Sequence, residues 1–402
     1  MKYDVIVVGA GPAGSTSAKF LAEEGIKVLL IDKEKFPRDK PCGGGIPIRT
    51  LKKFKYIEEK ELIESYTYGV YVNFPFKEEP IKVEIEKPMH GMVLRKKFDY
   101  GLVNHAIDCG TKFADKTKIV DMKIDKNKVK LITNNNQYLE SKIVIGADGV
   151  WSIIAKKSNL SQNSKNFGVC LYQEVNLKEK TIKNYFPGKK LAHVHINYTG
   201  KNGYGWVFPK REHINIGVGE LKKHRTQDVK GIGLKDAFKR YIKNLKENKI
   251  IPKEIKFEKV KGAALPSCHI EKTYSDRLLL CGEAAGFINI GGGGIDYAMI
   301  SGELAAKVTV ESLENNRATE NYLSRYQRLW MDEFGKDIKI FSKMQKKFGE
   351  KTHKFITLAC KDEKLSKLFL DVFIGNTKFY ENKWKIGRRL VYLYLRDFLH
   401  KD

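Results

Sequence analysis

Long hydrophobic runs are missing from this 402-residue chain. No window approaches about 18 uninterrupted apolar residues, which excludes a transmembrane helix of the ordinary kind. Met1 leads straight into a strand-like DVIVVGAG with no basic segment and no cleavage site, so no signal peptide is expected. Cysteine is scarce. The six, at positions 42, 109, 170, 268, 281 and 360, form no CxxC pair and no framework spacing. That pattern speaks against a zinc ribbon or an iron–sulfur module and for a reducing, cytoplasmic setting. Repeats and low-complexity tracts are absent as well. Acidic residues are in deficit: 74 Lys and Arg face 48 Asp and Glu, a formal net charge of +26.

The basic excess comprises 13 Arg and 61 Lys, scattered along the chain and not gathered into one block. Solvated lysine-rich faces, of the kind a thermophile or a lysine-rich genome produces, account for it without any partner. The functional readings are an anionic lipid surface, an acidic redox protein or nucleic acid. Nucleic acid is the weakest, because no nucleic-acid-binding motif accompanies the charge. With 42% hydrophobic and 30% charged residues the chain can build a sizeable core, and its length suits two or three interleaved domains.

Residues 3–8 (YDVIVV) form a short apolar run and GAGPAG follows. STSAKFLAEEG then carries helical periodicity to Gly25, and a second apolar run, KVLLID, closes at Asp32. Strand, tight turn, helix, strand is a βαβ unit. Beyond a Gly/Pro-rich loop at 36–47, residues 66–94 alternate as strands of an inserted sheet do, and 94–110 reads as a helix stopped by Gly110. A β-meander then ends in a buried strand, KIVIGADG. Alternating, aromatic-rich residues predict a largely antiparallel sheet over 167–262. Residues 277–295 repeat the strand, Gly-rich turn and helix start, and helical periodicity dominates from 300 to 402.

Three Gly-rich turns carry the chemistry. In Gly9-Ala10-Gly11-Pro12-Ala13-Gly14 the first glycine permits the tight turn, and Gly11 lets the backbone approach a pyrophosphate. Gly14 lets the helix pack close to the strand, and the amides at the helix N-terminus hold the anionic diphosphate. Asp32, 18 residues past Gly14, is placed to accept from a ribose hydroxyl. A lone GxGxxG is weak; after a strand, before a helix and with an acid at this spacing it is strong. It occurs once, so no second, dedicated nicotinamide fold is expected. The other two turns are Gly146-Ala147-Asp148-Gly149 after KIVI, and Cys281-Gly282-Glu283-Ala284-Ala285-Gly286 after LLL, followed by Gly291–Gly294 and Ile295. Taken singly, either could be a strand end with an acidic turn.

In this order the three turns resemble the superfamily of flavin-dependent monooxygenases and geranylgeranyl reductases, over residues 1–300. The resemblance implies FAD as cofactor. Asp148 would then lie by the nucleotide end, and Gly282 and Glu283 by the ribityl and diphosphate groups. The amides of Gly291–Ile295, with Gly293, Gly294 and Ile295 among them, would reach the isoalloxazine pyrimidine edge, where a helix N-terminus stabilises negative charge on reduced flavin. Ala13, Lys33 and Val120 join the implied cofactor-binding set. Arg95, ahead of Phe98 and Asp99, matches the superfamily's arginine near the flavin; a solvated helix-end arginine is the alternative. Most members carry GDAAG, and Glu283 departs from that pattern by one methylene.

Within the superfamily, Lys40-Pro41-Cys42-Gly43-Gly44-Gly45-Ile46 is similar to the geranylgeranyl reductase loop that covers the flavin ring. Tyr204-Gly205-Trp206-Val207-Phe208-Pro209 is similar to that family's Y-x-W-x-F-P motif, which lines the isoprenoid tunnel. Lys201 stands where the family has the proline that leads into this motif. With the long helical tail, these segments resemble the digeranylgeranylglycerophospholipid reductases, which saturate isoprenoid chains of archaeal membrane lipids. The resemblance adds Cys42, Gly43, Gly44 and Gly45 to the cofactor set and makes Tyr204, Trp206, Phe208 and Pro209 the substrate set.

The residue types suit that chemistry. An unactivated alkene offers no polar handle, so it is bound by shape and apolar contact. Period two points Tyr204, Trp206 and Phe208 to one strand face, which fits a tunnel lining and equally an ordinary sheet core. Gly43–Gly45 brings backbone against ring or substrate with no side chain between. The expected reaction gives hydride from reduced flavin N5 to one alkene carbon while an acid protonates the other. Cys42, Tyr204 or an ordered water are the candidate acids, and Trp206 is a candidate aromatic face for cationic character. Cys42 reads equally as a buried structural thiol. Electrons would come from NAD(P)H or from an acidic protein such as ferredoxin, which the positive charge suits.

The expected fold is α/β (α+β overall), with a discontinuous Rossmann-like FAD-binding domain over 1–65, 95–165 and 266–305. An antiparallel-sheet substrate domain takes 66–94 and 166–265, and a C-terminal helical region takes 306–402. Two rival functions share these motifs: a flavin monooxygenase or halogenase, whose W-x-W-x-I-P segment YGWVFP loosely echoes, and a non-catalytic prenyl-lipid-binding flavoprotein. A halogenase also needs a lysine that binds the halogen oxidant, and Lys40 adjoins the CGGG loop. His193-Val194-His195 places two imidazoles on one strand face, a metal pair that no neighbouring ligand completes. The segment 383–402 has basic and apolar helical faces, and either docks on a core or rests peripherally on the inner membrane face.

Overall fold

The computed structural model describes residues 2–73, 79–161, 167–196, 198–199, 203–222, 233–257, 260–266, 268–289, 292–348, 362–374 and 376–399. Lys201, Gly291 and Cys360 lie outside them. The chain divides into two compact units, Met1–Lys40 with Arg95–Phe167 and Leu265–Ile338, and Pro41–Leu94 with Gly168–Ala264 and Lys339–Asp402. These limits fall at 40/41 and 338/339, where the sequence suggested 65/66 and 305/306. Pairing explains both. The strand Gly45–Pro47 hydrogen-bonds to His90–Met92 in the second unit, and Tyr326 at the helix Glu320–Trp330 donates to the Leu280 carbonyl of the first.

The first unit is built on the βαβ start: β1 (Lys2–Val8), α1 (Pro12–Glu23) and β2 (Val28–Ile31). Val5 to Val8 and the whole of β2 are buried, the near-continuous apolar run expected of strands covered on both faces. The sheet runs Tyr274–Ser275, Leu278–Leu280, Tyr138–Gly146, β1, β2, Lys112–Ala114. All these neighbours are parallel except the first pair, with Val5 set between Ile143 and Val28. The predicted meander, Ile119–Ile124 and Val129–Thr133, extends antiparallel from Tyr138–Gly146. Parallel order with α1 between its first two strands puts the turn after β1 at the carboxyl edge, where such sheets bind ligands.

The second unit holds a seven-stranded sheet in the order Lys261–Pro266, Phe167–Asn176, His213–Lys222, Gly203–Pro209, Ala192–Ile196, Gly69–Asn73, Ile81–Glu84. Helix Leu234–Glu247 packs on one face through Phe238, Tyr241, Ile242 and Leu245, against Val207, Ile214, Ile216 and Val218. This helix and Glu179–Tyr185 interrupt the stretch read as sheet from the sequence. The apolar positions 238, 241, 242 and 245 do follow a helical period, but the surrounding aromatic alternation outweighed it. Gly205 admits the Tyr241 ring, 2.7 Å from where a Cβ would stand. Tyr204, Trp206 and Phe208 therefore line the opposite face.

His193 and His195 share the helix side of that sheet. Their rings stack 6.4 Å apart, His193 stacks on Tyr71 at 4.8 Å, and His195 Nδ1 is hydrogen-bonded to the Tyr241 hydroxyl at 2.8 Å. Burial pushes the two imidazoles down to about 4 and about 3. An unfolded histidine titrates near 6.5, so the unfolded chain takes up protons first: stability is full above that pH and falls as pH drops toward 4. Among the described residues His193 Nδ1 has no hydrogen-bond partner. Phenylalanine at 193 is expected to keep the stack and to recover about 2 kcal/mol at pH 4.5, with little change at pH 7.5. Urea unfolding at the two pH values checks this, and an unchanged pH dependence would refute it.

Candidate functional site

In the first unit, β1 hands the chain to Gly9 at φ +104°, a conformation that side chains with a Cβ rarely adopt. The Gly9 amide donates to the Ile31 carbonyl at 2.7 Å, and Ala147 N–H donates to the Val8 carbonyl at 2.7 Å. The fingerprint turn and the GADG turn are thus held side by side at one strand edge. At Gly14 a Cβ would stand 1.8 Å from the Gly9 carbonyl oxygen, so the helix rests directly on the turn. Gly11 is different. Its Cβ position meets nothing nearer than Arg38 Nη2 at 3.7 Å.

Helix α1 starts on Gly11 with Pro12 next, and neither a capping side chain nor an acidic residue occupies its first turn. Its free amides and the Arg38 guanidinium border the space above Gly11. This is a cradle that a side chain would fill, with the positive lining a diphosphate needs. Buried Asp32 accepts from Ala10 N–H through Oδ2 at 2.8 Å and from Glu34 N–H through Oδ1 at 2.9 Å. Each carboxylate oxygen keeps acceptor capacity for a ribose hydroxyl. The residues present fit the adenosine diphosphate half of FAD.

Beneath Arg38 lies Asp99, 0% exposed. Arg38 Nη1 donates to its Oδ2 at 2.9 Å, and Arg95 donates from Nε and Nη2 to both carboxylate oxygens, at 2.7 and 2.8 Å. Arg38 Nη2 also lies 3.8 Å from Asp32 Oδ2, so two guanidiniums and two carboxylates balance and the Arg38 group is held at the edge of the cradle. Arg95 is therefore a buried, two-toothed partner and not a solvated helix end. Arg38 was missed in the sequence because nothing in FPRDKP distinguishes it from a loop cation; the buried acid at 99 is its signal, visible only after folding.

The other acidic turns serve the chain's own backbone and side chains. Asp148 accepts from Ser152 Oγ at 2.5 Å and from Ile153 N–H at 2.7 Å, and so caps the helix Ile153–Lys157. Burial raises its pKa against the lowering effect of those hydrogen bonds. Glu283 Oε2 pairs with Lys40 Nζ at 3.3 Å. Gly282 N–H donates to Ser301 Oγ at 3.0 Å, and Gly293 N–H to Asn289 Oδ1 at 2.8 Å. Gly294 caps helix Ile295–Glu314 without a side-chain partner. Ala13 is buried in α1, Lys33 is exposed past β2, and Val120 is exposed on Ile119–Ile124.

In the second unit the predicted aromatic face is formed. Tyr204 and Trp206 have ring centroids 5.4 Å apart and Trp206 and Phe208 6.4 Å, all tilted by less than a right angle. Trp206 lies flat on the neighbouring strand where Gly217 leaves room; a Cβ there would stand 2.1 Å from the indole. Gly43 packs likewise against the Phe208 ring, at 2.6 Å from a Cβ position. Pro209 is buried at the strand end opposite Ile214. Gly45 starts the strand that pairs with Met92. Burial pushes the Tyr204 hydroxyl far above its ordinary pKa, so it stays protonated. Cys42 is partly buried, and its Sγ accepts from Gly44 N–H at 3.3 Å.

Beside the rings, on the same face of the sheet, runs a polar network that the sequence did not reveal. Trp206 Nε1 donates to Asn215 Oδ1 at 2.7 Å, and Asn215 Nδ2 donates to the Cys42 carbonyl at 3.1 Å and to Glu174 Oε2 at 2.9 Å. Lys210, 1% exposed, donates to the same Glu174 oxygen at 2.7 Å. The network ties the wall's central indole to the glycine loop. Its members are spread over some 170 positions, and each alone reads as an ordinary polar residue.

The family model described as FAD binding domain matches residues 2–328. The digeranylgeranylglycerophospholipid reductase of Methanococcus aeolicus is 31% identical over 364 residues, 87% of this chain and 88% of the relative. That of Methanocaldococcus jannaschii is 32% identical over 82% of each. The chain belongs to the geranylgeranyl reductase family of FAD-binding flavoproteins. Among solved structures, a geranylgeranyl bacteriochlorophyll reductase-like protein of Thermoplasma acidophilum superimposes with a TM-score of 0.77 at 23% identity, covering 95% of this chain and 98% of that one. A halogenase bound to phloroglucinol and FAD reaches 0.72 at 16% identity, covering 100% and 93%, a likeness of fold alone. As a family member the chain binds FAD. Glu283 reaches Lys40 of the glycine loop's lead-in, a contact the shorter aspartate side chain would loosen.

Proposed function

We propose that this flavoprotein saturates C=C double bonds in the geranylgeranyl chains of archaeal prenyl ether lipids. The observation that carries the reading is the apolar face of Tyr204, Trp206 and Phe208, braced by the adjoining strand and packed against Gly43, in a chain with relatives named digeranylgeranylglycerophospholipid reductase. Reduced FAD, when bound, supplies a hydride to one alkene carbon. Gly9, Gly11, Gly14, Asp32 and Arg38 would hold its adenosine diphosphate portion. The three rings grip an isoprenoid chain by shape, exclude water and present electron-rich faces to a carbon gaining positive character.

The second alkene carbon needs a proton. The Tyr204 hydroxyl keeps its proton at every working pH, and the Cys42 thiol, facing Gly44 N–H, is the other donor on the same unit. NAD(P)H or reduced ferredoxin supplies the electrons in this proposal, and the enzyme works peripherally at the cytoplasmic membrane face. Against a halogenase, Lys40 is held by Glu283 and so is not free to take up a halogen oxidant. The test is mass spectrometry of digeranylgeranyl glycerophospholipid after anaerobic incubation with dithionite-reduced, FAD-loaded enzyme. A ladder rising by about 2 mass units per saturated bond is expected if hydride and proton add across each alkene. A hydroxylated product formed only in oxygen would replace the reading by a monooxygenase.

A further inference from the structure

The C-terminal helix Phe379–Leu399 has two apolar faces, and the fold uses one. Phe379, Ile386 and Leu393 are buried with Leu365 of the preceding helix Glu363–Ile374, and Arg389 locks the pair by donating from Nε and Nη2 to Asp362 at 3.0 and 2.6 Å. The other face carries Trp384, 74% exposed, with Val391 at 60%, Tyr394 at 66% and Leu395 at 53%. At 100° per residue, Trp384, Val391 and Leu395 fall on one stripe with exposed Tyr380, about 22 Å long from Tyr380 to Leu395. Exposed apolar residues are ordinary one at a time; a helical row headed by tryptophan and tyrosine marks an interaction surface.

We propose that this stripe is a docking surface for an anionic lipid bilayer, with the helix lying in the plane of the headgroups. Charge selects that occupant. Within 379–399, apart from Arg389 paired with Asp362, four Lys and Arg stand against two acids, in a chain of net charge +26. The Lys383 ammonium sits 4.0 Å from the Tyr380 ring centroid and 5.8 Å from that of Trp384, so a cation flanks the rings, as in helices that rest at an anionic interface. A second copy of the chain is the poorer match, since pairing two such stripes would bring their lysines and arginines together. The helix lies on the bilayer and does not cross it: no helix among the described residues is long and apolar enough to span. This deepens the proposed function by naming the surface through which the enzyme meets a lipid substrate, and its test does not depend on turnover.

The experiment is flotation of the full-length, FAD-loaded chain with phosphatidylcholine vesicles, with and without phosphatidylglycerol, at low and high salt. The parent is expected to float with the anionic vesicles only and to release in salt. Trp384→Ser with Leu395→Ser, both at exposed positions, is expected to weaken vesicle binding at least about tenfold while melting temperature and flavin content stay unchanged. Trp384→Phe should bind but lose the blue shift in indole emission that vesicles induce in the parent. Binding of the double-serine variant equal to the parent overturns the proposal. So does a dimer, seen by analytical ultracentrifugation without lipid and abolished by the same two substitutions, because a second copy would then cover the stripe. Anionic-vesicle binding that persists in an enzyme giving no saturated product would leave this proposal standing and remove the proposed reaction.

Discussion

Alanine at position 11 is expected to leave the apoprotein's melting temperature within about 2 °C of the parent and to weaken FAD binding at least about 100-fold, some 2.7 kcal/mol. Two observations produce this split. Gly11 sits at φ −79° and ψ −173°, extended backbone that alanine adopts without strain, and its missing Cβ points at open space bordered by Arg38. The added methyl therefore meets little in the folded protein. It enters the space between the α1 amides and Arg38 in which a diphosphate would be held. Alanine at position 14 should behave oppositely, because its Cβ would overlap the Gly9 carbonyl oxygen and lower the melting temperature before any ligand is added. Thermal melts of apoprotein and quenching of flavin fluorescence on titration separate the two effects. If Gly11→Ala binds FAD as the parent does, the diphosphate does not pass over Gly11.

Lys210→Met is expected to lower the stability of the second unit by about 3 kcal/mol. The ammonium is buried, its methylene stem is replaced well by methionine, and the loss falls on Glu174, left with a charge and no cation beside it. Glu174 Oε1 already has no hydrogen-bond partner among the described residues, so little is available to take over. Adding Glu174→Gln removes that stranded charge while leaving an amide oxygen for Asn215, and should restore more than half of the loss. Urea unfolding of the single and double variants gives the coupling directly. A single variant within about 1 kcal/mol of the parent, or a double variant no better than Lys210→Met, would show that the network is not held by this pair. Lys210 also stands close to Gly44, with Nζ 3.1 Å from the Cβ position there, so loop packing should loosen together with the network.

Legibility differed between the two units for a physical reason. The nucleotide turn was readable because its requirements are local: a glycine with positive φ, a glycine under a helix, and an acid at the next strand end all lie within 24 residues. The aromatic wall was half readable. Period two placed Tyr204, Trp206 and Phe208 on one face, and the tilted ring contacts followed, yet alternation alone did not distinguish a lining from a core. What removes the indole from any free-standing role is Gly217 beneath it and Asn215 at its N–H, both from the adjoining strand. The helix Leu234–Glu247 went unread because the sheet's alternation dominated its neighbourhood, although its own period was intact.

By itself, the sequence determined the family, the βαβ start and the cofactor, since backbone geometry at Gly9 and Gly14 admits almost no other residue and short-range spacing suffices to express it. Only the tertiary structure decided which charges meet. Asp99 joins Arg38 to Arg95, Glu283 takes Lys40, Asp148 turns to its own helix, and Glu174, Lys210, Asn215 and the Cys42 carbonyl close beside Trp206. Ion pairs and hydrogen bonds act over about 3 Å in space and carry no preferred distance along the chain, so no pattern in the sequence announces them.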